Sequence, residues 1–182
     1  RSALALVTPW GAVGLGAVGS GYLRHGFEGK LALRVPSARL GQCHAAQVAA
    51  DLSVHITAAQ PTLAGPVTVQ GADCGAARLK VLSSRLTATG DTRLTSWRLA
   101  NQLDRVFAEA GAISVHNLSG TQRAAIRSDG QVDAEWALQG AGTASRFVAA
   151  RSVLVRGTAQ RDAAGAIVTR GAFDLQGGRA TQ

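Results

Sequence analysis

The chain has 182 residues, enough for one domain with a core, and carries a net charge of +8 with 46% hydrophobic but only 4% aromatic residues. Its positive balance is spread evenly: residues 1–91 hold 8 Lys+Arg against 4 Asp+Glu, and residues 92–182 hold 11 against 7. Scattered cations and scarce aromatics give neither the counterion release nor the base stacking that nucleic-acid binding needs, and no apolar run reaches the roughly eighteen residues of a membrane-spanning helix.

The chain begins at Arg1 and stops in a Gly/Ala-rich run, so it reads as a single segment, 1–182, of a longer, repetitive β-sheet protein. Residues 1–8 read as a strand. Pro9 and the glycines that follow make residues 1–21 as a whole an irregular or edge region, and they cut the apolar start too short for a signal peptide. GLGAVG at 14–19 matches the GxGxxG dinucleotide fingerprint, but that motif needs a helix at the phosphates and an acid about twenty residues on. Further glycines oppose the helix and residues 33–41 contain no acid, so the match is a product of glycine content.

Residues 22–95 read as strands. FEGKLALRV at 27–35 puts Phe27, Leu31, Leu33 and Val35 on one side and Glu28, Lys30 and Arg34 on the other. QVAADLSVHITA at 47–58 is the clearest case, with Val48, Leu52, Val54 and Ile56 alternating against Gln47, Asp51, Ser53 and His55. Val67 and Val69 follow a Pro/Gly-rich turn. In 77–89 the apolar parity changes between Val81 and Leu82, which predicts a bulge near Leu82.

One segment departs from the period of two. Ser96 is placed to cap a helix over 96–110 in which Leu99, Leu103, Val106, Phe107 and Ala110 form a buried stripe, closed by Gly111. Strands resume over 112–182. A three-residue loop at Ser128, Asp129 and Gly130 sets Ile126 opposite Val132 and Ala124 opposite Ala134. Trp136 and Leu138 extend that apolar face. A second pair, 147–157 and 166–176 around the turn at 162–165, carries Val153, Val155, Ile167, Phe173 and Leu175 inward. The fold class expected is all-β, an antiparallel meander of about eight to ten strands with one short helix.

Catalytic chemistry finds little support. His25, His44, His55 and His116 lack metal-ligand spacing, no GxSxG motif occurs, and Asp133 and Glu135 read as two residues of a wet strand face. Asn117-Leu118-Ser119 matches a glycosylation acceptor by chance as readily as by function. Cys43 and Cys74 sit in turn contexts beside strands; they pair in an oxidising compartment if the strands are neighbours, and are small buried residues otherwise. The apolar face itself is the informative feature. Several such strands side by side exceed the roughly 300 to 600 Å² of contiguous apolar surface a monomer exposes, so either a second layer or a bound apolar guest covers them.

The segments GKLALRVPSARLGQC, LAGPVTVQGADCGAARLKV, SRLTATGDTRL and GQVDAEWALQGAG resemble the serial amphipathic strands of bacterial AsmA-like envelope proteins, notably the YdbH and TamB branches. The likeness covers most of the chain from Gly26 onward and lies in Gly/Asp turns, Leu/Val alternation and Arg-rich wet faces. It implies a β-sheet curled into an open, taco-like groove in the periplasm, attached to the inner membrane through a segment outside this chain. It also implies a non-enzymatic, cofactor-free role in carrying phospholipid between membranes. The groove-lining positions are then the apolar residues already named by parity, from Phe27 to Leu175. A structural or adhesive surface β-protein with a closed core is the alternative; an outer-membrane barrel is disfavoured by the lack of aromatic girdles.

Overall fold

In the computed structural model, residues 2–8, 11–22, 26–40, 43–75, 77–110, 113–144 and 148–180 are described. The strands are β1 (Ser2–Thr8), β2 (Gly11–Tyr22), β3 (Gly26–Leu40), β4 (Cys43–Thr57), β5 (Gln60–Cys74) and β6 (Ala77–Gly90). They continue as β7 (Ser96–Ala110), β8 (Ile113–Arg127), β9 (Val132–Ala144), β10 (Val148–Arg161), β11 (Ile167–Gln176) and the two-residue β12 (Arg179–Ala180). All belong to one antiparallel sheet whose order from β1 to β11 is the chain order, with β12 pairing to β10. Among the described residues every strand belongs to this one sheet and pairs only with its ladder neighbours, so the sheet stays open and does not close into a barrel.

The long strands run out to 15 residues because each has a partner on both sides to satisfy its backbone groups. Two hairpins show how local chemistry sets the register. At residues 128–130, Arg127 and Gln131 close the loop by Arg127 N–H to Gln131 O (2.9 Å), Gly130 takes a φ of 83°, and Ile126 and Ala124 face Val132 and Ala134 as expected. The loop at 163–165 repeats this with Asp162 N–H to Ala166 O at 3.0 Å and Gly165 at φ 91°.

One expectation holds in one of its two forms and another fails. Of residues 1–21, expected to be irregular or edge, the described ones lie at the edge of the sheet, where residues 11–22 form the regular strand β2, paired with β1 and β3. Strands on both sides supply the hydrogen bonds that its glycines cannot replace with packing, and the Phe27 ring lies where a Cβ on Gly19 would stand, 2.3 Å from that position. The helix over 96–110 is absent: these residues form β7, and none of the described residues is helical. Trp97, Leu99 and Leu103 keep the alternation, and the register then shifts by one residue between the Ser83–Arg105 and Ser84–Leu103 pairs, which restores Val106 to the same face. A bulge at Asp104 thus turns a two-residue period into a spacing of four and three that imitates a helix. Phe107 faces the other way. It pairs with Val81 and carries the Lys80 ammonium 4.6 Å from its ring centre and the His116 ring edge-on at 4.4 Å. The bulge expected near Leu82 is present, as a register shift between Leu79 and Val81. Gly111, Phe147 and His25 lie outside the described residues.

Candidate functional site

The register carries each strand's alternation across the whole sheet. One rung runs Leu4, Leu15, Leu33, Ala50, Val67, Ser84, Leu103, Gly120, Leu138, Val155 and Phe173, one residue from each of eleven strands. Beside it, Val35, Val48, Val69, Leu82, Val106 and Leu118 make a second rung that resumes at Val153 and Leu175. Leu31 opposes Leu52, Phe27 opposes Ile56, Gly29 opposes Val54, Ile126 opposes Val132, Trp136 opposes Gly157 and Ile167 opposes Arg161. The apolar residues named by parity as groove-lining, from Phe27 to Leu175, therefore fall on one face, whereas Phe107 and Val81 lie on the other. Ten inter-strand spacings of about 4.8 Å make that face about 48 Å long.

Burial on this face is graded. Leu103 and Val106 are 2% exposed, and Val35, Ala50, Leu52, Ala88 and Val153 are also buried. Towards the ends the same parity is open to solvent, with Leu4 exposed in β1 and Ile167, Phe173 and Leu175 exposed in β11. Three aromatic rings lie flat along the sheet: Phe27 over Gly19 and Gly29, Trp97 over Gly90, and Trp136 over Gly157. A side chain on any of these glycines would meet a ring atom at 2.3 to 3.2 Å, so glycine is what lets the rings lie down and leaves the surface above them clear.

The opposite face is polar and largely self-satisfied. Arg34–Asp51 (2.7 Å), Arg78–Asp73 (2.9 Å), Lys80–Glu109 (2.8 Å) and Arg123–Glu135 (3.4 Å) link adjacent strands, and His55 lies 3.6 Å from Glu28. Exposed pairs of this kind each add well under about 1 kcal/mol. They instead make the face a solvated one. Depressions of about 490 and 550 Å³ on this side are framed by Thr87, Arg98, Arg123, Thr158 and Arg170, but Arg123 is taken by Glu135 and Asp133 by Arg127 and Gln160.

No protein-family model matches the chain, and no curated protein or solved structure is found to be similar to it. The site must be read from its own geometry. Among the described residues no three His, Cys, Asp or Glu gather as a metal site, and Asp133 and Glu135 are spent on Arg127 and Arg123.

Cys43 and Cys74 form a disulfide with Cα atoms 4.1 Å apart, at the open end of the β4–β5 ladder where His44 opposes Asp73. Of the two readings the sequence allowed, pairing is the one adopted. The face also includes residues the sequence reading left out. Trp97, Leu99, Leu103 and Val106 were hidden by the helical spacing, and the slip at Asp104 was the signal that would have found them. Asn101 and Gln122, opposed on this face with Nδ2 to Oε1 at 3.3 Å, were missed because each is unremarkable until the register joins them.

Proposed function

We propose that this chain is a segment of a bridge-like lipid carrier of the Gram-negative envelope. In this reading the sheet curls about its apolar face into an open groove, acyl chains of phospholipid lie along the rungs, and the head groups stay in water. One observation carries the reading: a mostly apolar face, interrupted by Ser84 and the Asn101 and Gln122 pair among others, crosses eleven strands of one open sheet. The curl is supported by the gradient of burial along the face, from Leu103 and Val106 at 2% exposure in the middle to Phe173 at 75% at the end, as expected of a sheet that curves in on its centre. Each methylene moved from water onto such a lining contributes about 0.8 kcal/mol, so a smooth aliphatic surface holds chains without specific polar contacts. The disulfide suits an oxidising compartment such as the periplasm. Inner-membrane attachment through a segment outside this chain completes the proposal.

Lipid extraction and mass spectrometry of the purified protein test it. Phospholipid is expected to co-purify with the unmodified chain and to be lost in Val54→Asp and Val67→Asp, two half-exposed positions where a carboxylate meets the guest before it meets the core. Circular dichroism checks that both variants keep their sheet. A folded, lipid-free unmodified protein would end the conduit reading.

A further inference from the structure

The centre of the apolar face holds a polar pair that the lipid reading leaves unexplained. The rung that begins at Gly65 and Leu86 continues as Asn101, Gln122 and Trp136. Asn101 donates Nδ2–H to Gln122 Oε1 at 3.3 Å, while its own Oδ1 is shut off from solvent and accepts nothing. A buried acceptor without a donor forfeits the water it left behind. Exchanging oxygen and nitrogen in both amides moves the deficit to Nδ2 and does not remove it. Ser84, the polar neighbour on the next rung, differs: its hydroxyl points at Val67 O, 3.5 Å away.

The amide pair opens onto a cavity of about 340 Å³ whose other walls are Leu86, Leu99, Ala124, Ala134 and Trp136, with Arg123 and Glu135 also on its lining. Trp136, one of these walls, has its ring over Gly157 on the next strand. Asn101 turns about χ2, a broad terminal torsion; the turn brings Oδ1 round to this space at the cost of the bond from Nδ2 to Gln122 Oε1, and it frees the Gln122 amide to face the cavity as well.

We propose that Asn101 and Gln122 form a subsite for a hydroxyl group borne on or beside an acyl chain. This deepens the lipid-carrier reading and rests on it. A hydroxyl both accepts and donates, so it takes a hydrogen bond from the Gln122 amide and gives its own proton to Asn101 Oδ1. A methylene answers neither amide. An ester carbonyl only accepts and leaves Oδ1 without a donor, and an ionised phosphate or carboxylate, also only an acceptor, does the same. The guest class is therefore a hydroxylated acyl lipid, selected by one neutral group in the middle of the face.

Calorimetric titration of the whole chain with tetradecanoic acid and with 3-hydroxytetradecanoic acid, which differ by that one hydroxyl, tests the subsite. The hydroxylated acid is expected to bind about tenfold tighter, the ratio that one well-placed hydrogen bond supplies. In Asn101→Leu and in Gln122→Leu the ratio falls to about one while the plain acid binds at least as well as before. Gln122 is exposed, so its variant keeps the test open should Asn101→Leu not fold. Equal affinity for the two acids in the unmodified protein, or a ratio untouched by both variants, overturns the subsite and leaves the groove standing. Failure of the folded protein to bind either acid overturns the groove and the subsite together.

Discussion

Strands β7 and β11 obey the same alternation and end in opposite states. In β7, Leu103 and Val106 are 2% exposed; in β11, Ile167 is 68% and Phe173 75% exposed, although Phe173 sits in register with Val155 of β10. The difference lies in the company each strand keeps. β7 has six strands before it and four after it in the ladder, whereas β11 is flanked by β10 and then by solvent. Alternation alone hides nothing. Burial accumulates from neighbours, as in a repeat protein whose stability is summed over adjacent units, and an end strand shows its apolar side however well it is patterned.

The largest expected effect follows from that contrast. Leu103→Ala leaves a cavity among side chains from both flanking strands and should lower stability by about 4 kcal/mol, while Phe173→Ala, a larger truncation at an exposed site, should stay within about 0.5 kcal/mol. Urea unfolding of the two variants checks this. Similar losses at both sites would mean that β11 is covered in solution by something that closes the far end of the sheet.

The disulfide sharpens the same comparison from the rim of the sheet. Cys43 and Cys74 lie 31 residues apart in sequence and tie β4 to β5, well inside the ladder, so the cross-link restrains a section on which strands to either side depend. Replacing both with Ala should cost about 3 kcal/mol by restoring freedom to the unfolded chain. Hydrogen exchange locates the loss. Protection should fall across β3 to β6, while the amides of β11, at the far end of the ladder, should change little. Loss confined to the four residues around the cysteines would show that the two strands hold together without the bond.

How much of this was legible in the sequence varied with the element. β3 and β4 were open to inspection, because nine to twelve residues of strict alternation admit no helix, and the loop at 128–130 fixed its register because only one loop length faced Ile126 with Val132. β2 was obscured by glycines that a strand tolerates only when both neighbours hold it. β7 was obscured by one residue: without the slip at Asp104 its apolar positions would have alternated to the end. The composite face was legible in its parts, since parity assigned each residue its side, but the polar rung of Asn101 and Gln122 was not. Parity describes one strand at a time, and a rung exists only when neighbouring strands are set against each other.

The smallest effect concerns three of the hairpin loops on one rim, those after β6, β8 and β10, which differ in how hard each aspartate works. Asp129 accepts from Gln131 N–H (3.0 Å) and Asp162 from Ala166 N–H (2.9 Å), one backbone donor apiece. Asp91 receives four: Thr95 Oγ1–H at 2.6 Å, Thr95 N–H at 2.7 Å, Ser96 Oγ–H at 3.1 Å and Arg93 N–H at 3.2 Å. The Ser96 hydroxyl that the sequence offered as a helix cap is used here, to hold the turn into β7. These donors, the Thr95 hydroxyl foremost, lower the Asp91 carboxyl from 3.8 to about 2. A depressed carboxyl favours the folded state above its unfolded value, and that contribution is lost as pH falls from 3.8 through about 2. The urea midpoint of Asp91→Asn should therefore trail the unmodified protein by a constant margin at neutral pH, and the margin should close across that acid window. Asp162→Asn, which gives up one donor, should show a smaller margin throughout. If the Asp91 margin persisted undiminished at pH 2, the bonds would be holding the loop without regard to charge, and its aspartate would be acting only as a shape.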